Sequence, residues 1–241
     1  MLLVARCILL AFLLVLTFVF SSLFFLFRPR HRNNVRFLAQ IFSKVSYLLG
    51  IKLIVRSSSA AHQAPNVYVA NHQNNFDIFT HTAAVPKGTV SLGKRSLAWI
   101  PFFGQLYWLS GNILINRNNR SSAVGTMANV AKKMRESKLS VWIFPEGTRS
   151  RGRGLLPLKS GAFHTAIAAG APVVPVVASC QNDIKLNRWN NGVVIIEMMK
   201  PIDTAGLSKG DAKELSGEVH QLMKAKLDLL NAEAKQLKSV S

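Results

Sequence analysis

An uncharged stretch near the N-terminus constrains the fold of this chain more than any other feature. From Cys7 to Phe27 there are 21 consecutive residues without a charge, most of them Leu, Phe or Val. As an α-helix this stretch is roughly 31 Å long, close to the hydrocarbon thickness of a bilayer. It is longer than the apolar part of a cleaved signal peptide, and no A-x-A-like site follows it. A helix that is apolar on every side is unusual in a soluble core, so the sequence predicts a membrane helix.

Basic residues follow this helix directly. They are Arg28, Arg30, His31, Arg32 and Arg36. Such a cluster stays on the cytoplasmic side of a membrane, where we expect the rest of the chain. Val35 to Leu49 then has apolar residues at helical spacing, which predicts a basic amphipathic helix. This second helix lies in the membrane interface or packs on the next domain, and the first helix spans the bilayer or pairs with the second.

The net charge is strongly positive and unevenly distributed. The chain has 30 Lys and Arg against 11 Asp and Glu, a formal charge of +19. Residues 1–76 have eight bases and no acid, and residues 77–200 have sixteen bases and five acids. This excess indicates an anionic lipid, a phosphorylated substrate or nucleic acid, and charge alone does not distinguish them. The 49% hydrophobic content excludes a disordered chain, and two cysteines exclude a disulfide framework.

Short apolar strands alternate with helices in the rest of the chain. This alternation predicts an α/β fold, a single globular domain with a mostly parallel sheet flanked by helices. We assign residues 1–56 to membrane-anchoring helices and residues 57–241 to the globular domain. The predicted strands are Asn66–Ala70, Thr89–Leu92, Ile113–Ile115, Leu139–Phe144, Val173–Ala178 and Val193–Met199. The predicted helices of the domain are Asp77–Ala84, Ser121–Ser137, Gly161–Ala169 and Leu207–Leu237.

A histidine and an aspartate five positions apart are the first candidates for chemistry. His72 and Asp77 occur in the segment N-H-Q-N-N-F-D, between the end of a predicted strand and the start of the next helix. Ligands of open α/β sheets bind at this edge. If the loop folds back, Asp77 accepts one ring N–H of His72 and the other ring nitrogen is left as a base. The alternative is a helix cap beside an exposed histidine, because this spacing often arises by chance.

Two further motifs also follow predicted strands. In F-P-E-G-T-R-S, Gly147 allows a tight turn and Arg149 offers a guanidinium suited to phosphate. In G-N-I-L-I-N-R, Arg117 follows a short apolar strand. The alternatives are an ordinary turn and an exposed arginine.

Two other function classes account for less of the sequence. Residues 88–94 match the P-loop pattern G-x-x-x-x-G-K, but Arg95 stands where that loop needs Ser or Thr for Mg²⁺. A non-enzymatic binder of anionic lipid or nucleic acid would explain the charge but not three motifs at strand ends.

With Ala171-Pro172-Val173-Val174-Pro175 as a fourth motif, the chain resembles the glycerolipid acyltransferase family. The resemblance covers nearly the whole chain and is strongest to bacterial members that acylate lysophosphatidic acid. It implies transfer of an acyl group from acyl-CoA or acyl-acyl carrier protein to the sn-2 hydroxyl of lysophosphatidic acid, at the cytoplasmic side of a bacterial inner membrane. It implies no cofactor, no metal and no nucleic acid. A relative that acylates glycerol 3-phosphate or another lysolipid is the alternative.

The resemblance also assigns roles to residues. His72 is the general base and Asp77 orients it, with direct attack on the thioester, because no Ser or Cys lies in a nucleophile motif. The residues expected to bind substrate are Lys94, Arg117, Glu146, Gly147, Thr148 and Arg149. Arg151 and Arg153 either meet the phosphates of the acyl donor or form a solvated basic loop. The remaining histidines are expected to be structural: His31, His62, His81, His164 and His220.

Overall fold

The structure is a computed structural model that describes residues 1–63, 65–116 and 119–240. Its helices are α1 (Leu2–Leu26), α2 (Asn34–Leu48), α3 (Asp77–Thr80), α4 (Phe103–Leu109), α5 (Arg120–Ser137), α6 (Gly161–Ala169) and α7 (Ala212–Val240). Its strands are β1 (Ile51–Ser57), β2 (Val67–Ala70), β3 (Thr89–Lys94), β4 (Ile113–Ile115), β5 (Ser140–Ile143), β6 (Val173–Ala178) and β7 (Gly192–Met198). A 3₁₀ turn over His81–Ala84 continues α3.

The strands of the described residues form one sheet in the order β1-β7-β6-β2-β5-β3-β4. Neighbouring strands are parallel except for β6 and β7, which are antiparallel. The predicted α/β domain with a mostly parallel sheet is therefore confirmed. Since β2, β5 and β6 are adjacent and parallel, the loops that follow them meet at one edge of the sheet.

The central strands are buried on both faces. Every residue of β2, β5 and β6 is buried, as expected for parallel strands covered by helices on both sides. Helix α7 packs on β6 and β7, and α6 packs on β2 and on α5. Gly170 ends α6 in the left-handed conformation (φ +61°), where glycine has no Cβ penalty.

The two N-terminal helices pack differently on this domain. Helix α2 contacts β1, β3 and α3, and it buries Val35, Leu38 and Ala39. Helix α1 is long and apolar enough to cross a membrane, and most of its surface is exposed. Near its C-terminal end, Phe25 is fully buried against Leu38 and Leu106.

A charged side chain attaches the other end of α1 to the domain. Arg6 is 4% exposed, and its guanidinium donates to the carbonyls of Leu186 at 2.9 Å and Arg188 at 2.5 Å. The same guanidinium lies 5.6 Å from the centre of the Trp189 ring. Both ends of α1 therefore contact the α/β domain.

Two elements differ from the sequence expectation. Strand β1 pairs with β7 over residues 51–57, so the sheet begins before the expected domain boundary at residues 56 and 57. Strand β1 lies at the edge of the sheet, where charged residues such as Lys52 and Arg56 are tolerated. Arg56 forms an ion pair with Glu233 of α7. Helix α4 is the second element that differs. No helix is predicted there from the sequence, because a run of seven residues gives no clear helical period.

Candidate active site

His72 and Asp77 form a hydrogen-bonded pair. His72 lies in the loop after β2, and Asp77 is the first residue of α3. The Nδ1 of His72 is 2.6 Å from Oδ2 of Asp77, which is 3% exposed. The imidazole also stacks on Phe144, with ring centres 4.2 Å apart and planes 22° apart. The ring is held from one edge and one face, and Nε2 is left without a protein partner among the described residues.

Further donors hold the Asp77 carboxylate in place. The backbone N–H groups of Gln73 and Asn74 donate to Oδ2 at 2.7 and 3.2 Å, and the side chain of Gln181 donates to Oδ1 at 3.0 Å. A buried carboxylate needs such donors to offset its lost hydration. No side chain caps the N-terminus of α3, so Asp77 binds the loop before it instead of serving as a helix cap.

The histidine loop is also fixed to the end of β6. Asn71 donates to and accepts from the backbone of Ala178, at 2.9 and 2.8 Å. The side-chain amide of Gln73 donates to the carbonyls of Ala178 and Ser179. Because the residues on both sides of His72 are hydrogen-bonded to the end of β6, the sheet fixes the position of His72.

Glu146 connects this loop to the one after β5. Its Oε1 accepts the backbone N–H of His72 at 2.5 Å, and its Oε2 accepts the N–H of Leu156 at 2.9 Å. The side chain is 3% exposed, and burial raises its pKa to about 7 even though the two amides lower it. Both carboxylate oxygens accept backbone N–H groups, so Glu146 holds the two loops together in this structure, and its expected contact with substrate stays a prediction.

The turn after Glu146 carries a free guanidinium to the site. Gly147 has φ +72°, and a Cβ there would lie 2.9 Å from Nζ of Lys159, so a larger residue is disfavoured twice. Thr148 and Arg149 follow, and both are exposed. The Arg149 side chain has no hydrogen-bond partner among the described residues, so its donors are available to a ligand.

A cavity of about 580 Å³ connects these groups. Its lining includes the dyad and the turn after β5: His72, Asp77, Gly147, Thr148 and Arg149. Apolar side chains from α2, from β3, and from α4 and the segment that leads into it line the cavity as well: Leu38, Phe42, Leu92, Leu97 and Leu106. The cavity therefore offers a base, a cation and an apolar surface against which a hydrocarbon chain can lie.

Three of the other predicted site residues lie in the described structure, and one does not. Lys94 ends β3, is exposed and lines the cavity, whereas Arg117 lies outside the described residues. Arg151 lines the outer cavity wall and Arg153 bends back to the carbonyl of Ser150 at 2.8 Å.

Sequence reasoning missed two neighbours of Asp77. His81 is buried, lines the cavity and has Nδ1 3.7 Å from Oδ1 of Asp77, and burial lowers its pKa. Its i, i+4 spacing from Asp77 along a helix was a usable signal. Gln181 comes from the loop after β6, 104 residues away, and no local pattern indicates it.

Comparison with known proteins connects this geometry to one enzyme family. Residues 52–179 match the sequence model of the family described as Acyltransferase. The 1-acyl-sn-glycerol-3-phosphate acyltransferase of Escherichia coli K12 is 47% identical over 235 residues, which are 97% of this chain and 96% of that protein. The Haemophilus influenzae protein of the same name is 46% identical over 91% of this chain and 92% of its own.

More distant relatives agree. The human 1-acyl-sn-glycerol-3-phosphate acyltransferase alpha is 35% identical over 81% of this chain and 71% of its own length. Among solved structures, the 1-acyl-sn-glycerophosphate (LPA) acyltransferase PlsC from Thermotoga maritima superimposes with a TM-score of 0.73 at 25% identity. That match covers 95% of this chain and 96% of the other.

Proposed function

This chain belongs to the acyltransferase family, and we propose that it transfers a fatty acyl group from an acyl thioester to the sn-2 hydroxyl of 1-acyl-sn-glycerol 3-phosphate, forming phosphatidic acid. The observation that carries the proposal is the His72–Asp77 pair in a cavity that Arg149 and a set of apolar side chains also line. A lysolipid combines the matching groups: a charged head with a free hydroxyl, and a hydrocarbon chain.

The imidazole of His72 acts as the general base, which the reaction needs because an alcohol is a poor nucleophile until its proton is removed. Nε2 of His72 takes the proton of the sn-2 hydroxyl as its oxygen attacks the thioester carbonyl, which gives a tetrahedral intermediate. Collapse of this intermediate breaks the carbon–sulfur bond, and the imidazolium returns the proton to the leaving thiolate. Asp77 holds Nδ1–H toward itself and stabilises the imidazolium between the two steps. These steps use only the two side chains and the two substrates.

The lysolipid phosphate belongs near Arg149. The guanidinium of Arg149 lies on the turn beside the dyad and can form a bidentate hydrogen bond to a phosphate. Lys94 at the same cavity is the second cation, and the position of Arg117 after β4 makes it a third by family resemblance. The acyl donor is acyl-CoA or acyl-acyl carrier protein, with its phosphates or acidic surface near the exposed Arg151 and Arg153.

The contacts of Arg6 bear on how the protein meets the membrane. A helix that crossed the bilayer would place Arg6 on the opposite side from the domain, away from the carbonyls of residues 186–188. We therefore place α1 along one leaflet, with its exposed apolar face in lipid and its N-terminus on the side of the domain. The basic residues after α1 favour the anionic cytoplasmic leaflet of a bacterial inner membrane.

A direct assay tests the proposed reaction. The purified full chain in neutral detergent receives lysophosphatidic acid and acyl-CoA, and thiol release and phosphatidic acid are measured together. We expect equal amounts of both, with far less product when glycerol 3-phosphate replaces the lysolipid, because glycerol 3-phosphate has no hydrocarbon chain to cover the apolar part of the cavity wall. Thiol release without phosphatidic acid, or a preference for glycerol 3-phosphate, would contradict the proposal.

A further inference from the structure

A basic groove lies on the face of α2 that is turned away from the active-site cavity. The groove has a volume of about 390 Å³, and four cations line it: Arg28, Arg36, Lys44 and Lys87. Arg28 follows α1, Arg36 and Lys44 lie two helical turns apart on α2, and Lys87 comes from the turn before β3. Three separate segments of the chain thus bring positive charge to one place. We call it the α2 groove.

Nothing in the described part of the protein neutralises these charges. No carboxylate lines the groove, and none of the four cations forms an ion pair within residues 1–63, 65–116 and 119–240. Arg36 uses one nitrogen for the carbonyl of Val85 at 2.5 Å. The Nε of Arg28 is buried and has no hydrogen-bond partner among the described residues. Four like charges close together repel one another, so the groove favours an anion that bridges them.

The same groove has an apolar wall that is continuous with the membrane helix. Phe37 and Ile41 line it, and Phe37 packs on Phe24 of α1 with ring centres 5.1 Å apart. The Arg28 guanidinium lies 4.2 Å from the centre of the Phe24 ring. Both phenylalanines are 40% exposed. An occupant that touches the cations therefore also meets an apolar surface that extends along α1.

We propose that the α2 groove binds the headgroup phosphate of an anionic diacyl phospholipid, with its acyl chains lying against Phe37, Ile41 and the exposed face of α1. A free phosphate would satisfy the cations but leave the apolar wall uncovered, and a zwitterionic lipid would bring its own cation into a groove that already holds four. Clusters of four or more Lys and Arg next to a membrane helix have this preference. The site is separate from the acyl-transfer cavity and does not depend on the proposed reaction.

Native mass spectrometry of the full chain in a neutral detergent tests this proposal. The protein is mixed with equal amounts of dioleoylphosphatidylglycerol and dioleoylphosphatidylcholine, and the lipid that stays bound is counted. We expect the wild-type protein to retain one phosphatidylglycerol in preference. At about fivefold per cation, Lys44→Gln with Lys87→Gln should reduce that preference about 25-fold. Both lysine side chains are exposed and neither forms a hydrogen bond in the described structure, so this variant should fold and retain wild-type turnover of lysolipid in detergent.

Matched controls separate a site from general charge. Lys213→Gln with Lys224→Gln on α7 removes the same net charge far along the sequence and should leave the lipid preference unchanged. Arg36→Gln is a second groove variant and should lower the preference as well. An unchanged preference in both groove variants, or an equal loss in the α7 control, would overturn the proposal. So would displacement of phosphatidylglycerol by an excess of inorganic phosphate, because the groove would then be a site for small anions only.

Discussion

The loops at the edge of the sheet and the N-terminal helical end of the molecule are held in different ways. The loops after β2, β5 and β6 are joined by hydrogen bonds to Asp77, Glu146 and Asn71. At the helical end, α1 and α2 are held mainly by side-chain packing, with a few hydrogen bonds such as those of Arg6 and Arg36. Hydrogen bonds fix the positions of groups to a few tenths of an ångström, which proton transfer needs, whereas a hydrocarbon chain needs only volume and an apolar surface. Changes in the loops should therefore alter turnover, and changes at the helical end should alter stability and lipid handling.

The largest effect is expected at the imidazole. His72→Ala removes the base while Asp77 keeps its bonds to Gln73 and Gln181, so the loop should stay in place. We expect kcat to fall about 10²–10⁴-fold, with little change in the melting temperature. Steady-state rates of phosphatidic acid formation and thermal melting measure the two quantities. His164→Ala, on the exposed surface of α6, is the matched control and should behave as wild type. Near-normal turnover by His72→Ala would contradict the role of His72 as the base.

A smaller and different effect is expected at the cation. Arg149→Ala removes a charge-assisted hydrogen bond to the phosphate and should raise KM for the lysolipid about 10–100-fold, with kcat nearly unchanged. Kinetics at varied lysolipid concentration separate the two constants. Arg153→Ala is the control, because Arg153 is also exposed but its side chain donates to the backbone carbonyl of Ser150. If both variants shift KM equally, the phosphate is held by general charge and not by Arg149.

At the helical end, Arg6→Leu should act on stability and not on chemistry. The leucine keeps α1 apolar but leaves the carbonyls of Leu186 and Arg188 without their donor. We expect the free energy of unfolding to fall by about 2 kcal/mol and kcat to stay within twofold, at about the precision of such assays. Hydrogen exchange of residues 184–191 should rise in this variant and not in the exposed Arg188→Leu control. Unchanged exchange there would place α1 away from the domain.

The last expected effect is a pH dependence at Glu146. Its pKa is about 7 in the folded protein against 4.5 ordinarily, so between these values the folded state keeps a proton that the unfolded chain has released. The free energy of unfolding should therefore fall as pH rises through this window and level off above it. Glu146→Gln removes this titration. The stability difference, wild type minus variant, should decrease from about pH 5 to about pH 7, and a difference independent of pH would contradict the assignment.

Local pattern was sufficient where function follows from position along a strand or helix. His72 lies in the loop after β2, Asp77 ends that loop and Arg149 lies in the loop after β5, and parallel topology brings these loops to one edge. The uncharged apolar run near the N-terminus predicted a helix long enough to cross a membrane, and the structure has such a helix over Leu2–Leu26. Strand positions agreed within one or two residues because β-branched runs such as Val173–Ala178 have few alternatives.

Contacts between distant segments were beyond such patterns. Gln181 reaches Asp77 across 104 residues, and the two backbone N–H groups that Glu146 accepts come within its reach only in the folded loops. The packing of Arg6 against residues 186–188 likewise depends on where the chain returns. Strand β1 was missed because Lys52 and Arg56 interrupt its apolar pattern, although an edge strand tolerates them.

A double-mutant cycle on His72 and Asp77 tests most directly whether one imidazole, oriented by one carboxylate, carries the reaction. The kcat/KM of wild type, His72→Ala, Asp77→Asn and the double variant is measured with lysophosphatidic acid and acyl-CoA, after melting curves show that each is folded. Because Asp77 acts only through His72, the double variant should be no slower than His72→Ala alone. Losses that multiply, so that the double variant is slower by the product of the two single effects, would show that the residues act independently and would contradict the account.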